Sequence, residues 1–318
     1  MGNQSHIERT AHEPRDTSLH TLTISRITQF SPTVRIFRLA IPPDDNITFL
    51  PGQWVDLYPP PEAGVTKPGG FTITSSPSAA SPRRRRRHTP DPSHDPNHPL
   101  QPPLAIQHSP QNPAAAYLFL PRTRLLHSPV RVRVGGSFVF PPALPPPLLS
   151  SLRKAVFVAG GMGINPLVSM LVWIGEQAAA AGGGSRWADL EVEVLYSVRD
   201  PRGGEEEQDS GAVSGSGILF LERVARLFRS GRVKGRLKLF LTGGVFAGSG
   251  AQEAERQVPF SRKRMTVRDV QEAVGKNKGA TVIYICGVPR MTDDFVEALV
   301  SPEGFGMDQK RVLFEKWW

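Results

Sequence analysis

A strand that runs through glycines directly into a helix leaves a chain few choices of fold. Residues Lys154 to Ile174 (KAVFVAGGMGINPLVSMLVWI) have that form. Ala155 to Ala159 read as a short buried strand, Gly160, Gly161 and Gly163 as a turn, and the apolar run opened near Pro166 as a helix. Glycines let backbone approach a phosphate closely, and the unsatisfied N–H groups of a helix start point at it. The spacing is not the G-x-G-x-x-G of dehydrogenases, because Pro166 stands where that fingerprint wants its last glycine. Proline is comfortable in a first helical turn, where its missing N–H costs nothing. Taken by itself the motif is either a nucleotide site or a tight strand–helix turn that binds nothing.

At 318 residues the chain is long enough for two domains, each with its own core. The 31 prolines and 30 glycines, beside a hydrophobic fraction of 39%, point to substantial loop or disordered content. The single cysteine, Cys286, excludes a disulfide framework within the monomer and an iron–sulfur centre ligated by this chain. No apolar run approaches the roughly 18–20 residues that span a bilayer. The N-terminal region lacks an apolar signal core, and His6 stands where myristoylation wants Ser or Thr. Glu8, Glu13 and Asp16 interrupt the basic residues that a mitochondrial presequence would need. An intracellular protein, cytoplasmic or mitochondrial, is therefore expected.

The net charge of +9 suggests nucleic acid until its distribution is seen. Arg83 to Arg87 form one block within a tract, about Ser78 to Pro113, that is dense in Pro, Ser, His and Asp. Such a tract cannot bury enough apolar surface to repay the entropy of ordering, so a solvated, disordered insertion is expected. No aromatics interleave with the arginines to stack on bases, and no nucleic-acid partner is expected.

Without that insertion, residues 19–148 read as a small β domain that follows a disordered tail, residues 1–18. Leu22 to Ile27 and Val34 to Leu39 alternate as half-buried strands about a Ser31-Pro32 turn. Pro51-Gly52 turns into the strand Gln53 to Tyr58. Phe71 to Thr74 follow a Gly69-Gly70 turn, and Ala116 to Leu120 resume as strand. Val130 to Val134 then run into Gly135, Gly136 and a strand-like Ser137 to Phe140. Short strands at regular spacing without an intervening helix predict an antiparallel β-barrel. The proline-rich stretch Pro141 to Pro147 is the expected linker.

Residues 151–318 alternate differently. Strands are expected at Leu190 to Tyr196, Arg236 to Leu241, Thr281 to Ile285 and Val312 to Phe314. Helices are expected at Leu219 to Phe228, at Thr266 to Val274 with a Thr266 cap, and at Thr292 to Val300. Alternating β and α elements predict a parallel, Rossmann-like sheet whose ligands sit beyond the carboxyl ends of the strands. A second glycine turn, Cys286 to Met291, directly follows the strand Thr281 to Ile285. A lone cysteine there without His or Asn partners is a buried thiol rather than a nucleophile.

Four motifs in this order carry a family resemblance: Pro-Gly-Gln-Trp-Val at 51–55, Phe-Thr-x-x-Ser at 71–75, Gly-Gly-x-Gly-x-x-Pro at 160–166 and Cys-Gly-x-Pro-x-Met at 286–291. Together they resemble the ferredoxin–NADP reductase superfamily. The run Gly69 to Pro77, the turn through Ile164 and Asn165 to Pro166, and the terminal Phe-Glu-Lys-Trp-Trp at 314–318 resemble its oxidoreductase NAD-binding domain-containing protein 1 group. The likeness spans about Thr21 to Pro77 and Tyr117 to Trp318.

The resemblance implies FAD in the barrel and NAD(P)H on the second domain. It places Phe71 against the flavin ring, the Thr72 hydroxyl near the reactive flavin nitrogen with Ser75 close by, and Gly135, Gly136 and Ser137 at the flavin phosphates. Gly160, Gly161 and Gly163, with Ile164, Asn165 and Pro166, would cradle the dinucleotide. Cys286, Gly287, Pro289 and Met291 would lie beside the nicotinamide, and Glu315 with Trp317 or Trp318 near the flavin face that receives hydride. Thr72, Cys286 and Glu315 are the catalytic candidates, and no metal is implied. Ser197 and Arg199 follow the strand Leu190 to Tyr196, where either Arg199 meets a 2′-phosphate, or Asp200 holds a ribose hydroxyl, or both belong to a solvated loop.

One departure stands out. The family's flavin motif has Arg two residues before the aromatic, and here that residue is Gly69. Losing a bidentate cation at a phosphate is not conservative, unless Lys67, Arg122, Arg124, Arg131 or Arg133 replaces it. Two expectations follow: a reductase passing electrons to an unknown, separate acceptor, or a dinucleotide-binding, regulatory protein that has lost its flavin.

Overall fold

The computed structural model describes residues 4–80, 101–180, 185–201, 217–243, 258 and 260–317. They divide into two compact units, Met1–Pro141 with Val168–Trp173, and Pro142–Leu167 with Ile174–Trp318.

The first unit is built on six antiparallel strands: β1 (His20–Ser31), β2 (Val34–Ala40), β3 (Trp54–Tyr58), β4 (Gly69–Thr72), β5 (Pro103–Gln107) and β6 (Pro129–Gly135). Their order is β4-β3-β6-β1-β2-β5, and one bridge, Ile73 to Leu104, links the two edges. The result is a barrel-like sheet rather than a closed barrel. Alternation sends Val130, Val132 and Val134 inward from β6 to meet Leu22 and Ile24 of β1. Burying each such side chain contributes roughly 1.5–3 kcal/mol. The inward alternation of β1 breaks between Ile24 and Ile27 because its register to β2 shifts at Ser25, whose hydroxyl donates to the Arg38 carbonyl at 3.0 Å.

Three sequence expectations in this unit need correcting. β5 lies inside the tract expected to be disordered, because Leu104, Ala105 and Ile106 supply enough apolar surface for an edge strand opened by Pro103. Residues 81–100, with the Arg83–Arg87 block, lie outside the described residues. Ala116 to Leu120 are not strand. Asn112 accepts from the Ala115 N–H and Pro113 occupies the first turn of a short helix, Pro113–Tyr117. Ser137 to Phe140 are not strand either, since Gly136 turns the chain with φ +101°.

The segment expected to be a disordered tail is also ordered from residue 4. Ser5 caps the helical turn α1 (His6–Arg9) in a capping box with Glu8, and Arg15 pairs with Gly135 at the end of β6.

The second unit carries six parallel strands: β7 (Lys154–Gly160), β8 (Glu191–Arg199), β9 (Lys234–Thr242), β10 (Phe260–Ser261), β11 (Thr281–Gly287) and β12 (Val312–Lys316). Their order is β10-β9-β8-β7-β11-β12. β7 and β11 are buried along most of their length, as central parallel strands must be. Helices Val267–Val274 and Pro289–Val300 close a core with Val156, Val158, Ile283 and Ile285. The first of these is capped by Thr266 as expected. The second starts three residues earlier than expected, because Pro289 fits its first turn. Thr292 is then buried inside the helix, with its hydroxyl donating to the Val288 carbonyl. No described helix is long and apolar enough to cross a membrane.

Candidate functional site

The strand order of the second unit reverses beside β7: β8 lies on one side and β11 on the other. Open parallel sheets bind ligands outside the carboxyl ends of the strands at such a reversal. Both glycine turns end there. Gly161–Gly163 form one helical turn that feeds the 17-residue helix Ile164–Ala180, whose first N–H groups have no acceptor of their own within the helix. Gly161 has φ +54° and open space where a Cβ would stand. A Cβ on Gly163 would lie 2.0 Å from the Cys286 carbonyl oxygen, so the two turns are in backbone contact. The Met291 side chain covers Gly160 and Gly287 together. Ile164, Asn165 and Pro166 are buried.

Across β11 and β12, Cys286 stands in register with Glu315, and the Trp317 N–H donates to the Gly287 carbonyl at 2.8 Å. These three residues are thereby brought together; Trp318 lies outside the described residues. The Cys286 thiol is fully buried. Burial pushes its pKa well above the ordinary thiol value, the Glu315 charge adds to the rise, and the Trp317 indole opposes it. A neutral, enclosed thiol is no nucleophile. Native protein at pH 8 is expected to show no thiol reacting with Ellman's reagent, and one after denaturation; a fast native reaction would contradict this burial.

At the far end of β8, Ser197 is half-buried and Arg199 exposed. The Asp200 carboxylate is buried and accepts from Arg262 Nη1 at 3.1 Å.

In the first unit, Thr72 Oγ1 and Ser75 Oγ are buried without a hydrogen-bond partner. Orphaned buried hydroxyls are costly, and they fit a polar group that completes them. Phe71 does not fit the role the resemblance gave it. Its ring is 3% exposed and packed into the sheet's core, where a Cβ at Gly69 would come within 2.7 Å of it. An arginine at 69 would have to displace that ring. The proposed replacements are mostly committed. Lys67 pairs with Glu8, Arg122 donates to the Ile27 carbonyl, Arg131 lies over Tyr58, and Arg133 holds Asp56.

Asp56 was missed in the sequence. It is fully buried on the outer face of β3, opposite Arg133 on one side and Gly70 on the other. Arg133 Nη2, Arg15 Nε and His6 Nε2 reach it at 2.8, 3.0 and 3.0 Å. Burial would raise its pKa, but hydrogen bonds from His6, Arg133 and Arg15 with the Arg15 charge hold it below the ordinary carboxylate value. The visible signal was an acid in mid-strand between Trp54 and Tyr58, where only partners from elsewhere could neutralise it.

An antiparallel flavin-type sheet followed by a parallel nucleotide-type sheet defines a ferredoxin–NADP reductase-like fold. It is shared with a ferredoxin NADP+ reductase from Neisseria gonorrhoeae with bound FAD and NADP (TM-score 0.60, 15% identity, 95% of this chain and 100% of that one). It is also shared with the FAD/NAD-binding domain of a nitric oxide dioxygenase from Vibrio cholerae (TM-score 0.58, 14% identity, 94% and 98%). No protein-family model matches the chain. Full-length similarity is more specific. Oxidoreductase NAD-binding domain-containing protein 1 of Bos taurus is 30% identical over 316 residues, covering 98% of this chain and 85% of the relative. The Xenopus laevis protein of that name is 31% identical over 313 residues, covering 98% and 84%. The chain belongs to the oxidoreductase NAD-binding domain-containing protein 1 family.

Proposed function

We propose that the chain is an NAD(P)H-dependent flavoprotein oxidoreductase with a separate electron acceptor. The observation that carries the reading is the meeting of two glycine turns, far apart in sequence, where the strand order reverses. Under this reading Gly160, Gly161 and Gly163 hold the dinucleotide pyrophosphate through backbone N–H groups. Gly287 and Pro289 shape the neighbouring turn for the nicotinamide. Cys286 keeps a neutral thiol there, and Glu315 and Trp317 flank it. In the first unit, Thr72 and Ser75 offer orphaned hydroxyls to a flavin, and Gly135 to Ser137 are the backbone for its phosphates. FAD held there supplies the ability to take a hydride from reduced nicotinamide and release electrons singly or in pairs.

A second reading has its own support. Gly69 in place of arginine, together with the enclosed Phe71 ring, favours a dinucleotide-binding protein without a resident flavin. The visible spectrum of purified protein, with FAD added and then NADH or NADPH, separates the two. Flavin uptake and bleaching by one nucleotide are expected. Protein that stays colourless with FAD while still binding the dinucleotide overturns the reductase reading in favour of the second.

Arg199 is an exposed cation at the end of β8, and Asp200 pairs with Arg262. Replacing Arg199 with alanine is expected to weaken NADPH about tenfold, the loss of one charge-assisted contact, and NADH less than twofold. Equal losses by isothermal titration would remove Arg199 from the 2′-phosphate.

A further inference from the structure

The turn Gly135–Ser137 meets the segment before β1 rather than open solvent alone. Ser137 donates from both its N–H (2.8 Å) and its Oγ (2.6 Å) to the same oxygen, Oε2 of Glu13. The Gly136 N–H donates to the Pro14 carbonyl at 3.0 Å, and the Asp16 N–H to the Val134 carbonyl at 2.8 Å. Further back, His6 and Arg15 lock onto buried Asp56. The His6 ring stands over Gly70, where a Cβ would come within 2.0 Å of it, and stacks edge-on against Trp54. Glu8 pairs with Lys67 at 3.3 Å.

We propose that residues Ser5 to Asp16 form a strap that competes with an anionic ligand for the first unit, Glu13 taking the donors that a phosphate oxygen would take. An N–H and a hydroxyl converging on one carboxylate oxygen make the arrangement by which a loop holds phosphate. The same donors cannot serve both. Glu8 also occupies Lys67, one of the few cations near β4. The strap therefore brings the Glu8 and Glu13 carboxylates to this face and takes up the Gly136 and Ser137 N–H groups, the Ser137 hydroxyl and Lys67. Because it is part of the same chain, the strap acts at an effective concentration far above that of a free ligand. That the excluded ligand is a flavin rests on the reading given above; that strap and anion exclude one another rests on the shared donors.

Glu13 is half-buried and its carboxylate pairs with His12 and Ser137 rather than with a core residue, so its replacement should leave the fold intact. In the full chain, Glu13→Ala is expected to bind FAD about tenfold more tightly than the native protein, measured by quenching of flavin fluorescence, since a charge-assisted competitor has gone. FAD added to the native protein is expected to speed amide hydrogen exchange across residues 5–16. Should Glu13→Ala lower the melting temperature sharply, Glu13→Gln, which keeps the shape and loses the charge, serves with a smaller gain in the same direction. Equal FAD affinity in native and variant protein, with residues 5–16 still protected when FAD is bound, overturns the strap and leaves the flavin reading standing. Failure of both proteins to bind FAD, although exchange shows the strap released in Glu13→Ala, overturns both.

Discussion

Gly163→Ala should cost the second unit about 3 kcal/mol or more, and roughly 10 °C in melting temperature, whereas Gly161→Ala should leave stability nearly intact and abolish tight dinucleotide binding. The two glycines are two residues apart and do opposite work. A methyl group on Gly163 would stand 2.0 Å from the Cys286 oxygen, 2.4 Å from its carbonyl carbon and 2.9 Å from the Gly287 nitrogen. All three are backbone atoms of β11 and its turn, so no side chain can swing away. The helix start must move off the sheet, and the packing of Ile164 and Leu167, both fully buried, moves with it. At Gly161 a methyl group meets nothing, and the only cost is the left-handed φ of +54°, about 1 kcal/mol for alanine. That open space is where the pyrophosphate is proposed to lie. Thermal unfolding with a fluorescence titration of NADH on each variant checks both halves. Native-like NADH affinity in Gly161→Ala would sink the cradle.

The contrast shows which part of the site was legible in the sequence. Strand, glycines and helix were readable because the local pattern dictates them: an apolar run of strand length, residues that tolerate a turn, and a proline that suits a first helical turn. Which glycine serves packing and which serves a ligand was not readable, because Gly163 is explained by Cys286, more than a hundred residues away. The same holds for Met291, whose side chain covers Gly160 and Gly287. In the first unit, β1 to β3, β6 and the second half of β4 followed from alternation, while β5 hid in a polar tract because an edge strand of five residues needs only two inward side chains, Leu104 and Ile106. Phe71 misled for a related reason. Period-two alternation puts Gly69 and Phe71 on one face, but only the packed sheet shows that the ring fills the room the glycine leaves. The segment before β1 has no apolar periodicity. It is held by long-range partners, the buried Asp56 carboxylate and the Gly136–Ser137 turn, which no local rule could find.

That carboxylate makes the other large prediction. Asp56→Ala should destabilise the first unit by about 3 kcal/mol and free residues 5–16, because it leaves Arg15, Arg133 and His6 converging on a site without an anion. Arg133 is 30% exposed and can turn to water, which keeps the cost at the lower end for a broken buried pair. The acid limb of stability should change as well. Asp56 has its pKa below the ordinary value in the folded state, so its ion pairs stabilise the protein above the unfolded carboxylate's pKa. That contribution fades as pH falls through the folded value. Asp269 behaves alike in the second unit. Burial opposes ionisation there, but Lys263 and the Thr266 hydroxyl and N–H hold its pKa down to about 2. Its share of stability, roughly 2 kcal/mol, is present at neutral pH and lost between about pH 5 and pH 2. The native protein should therefore lose melting temperature steadily over that range. Asp56→Asn should start lower at pH 7 and fall less steeply, since one of the two carboxylates no longer titrates. Parallel acid limbs for native protein and Asp56→Asn would mean that the Asp56 charge contributes nothing to folding. The strap would then be held by packing against Trp54 and Gly70 and by its bonds to Val134, Gly136 and Ser137.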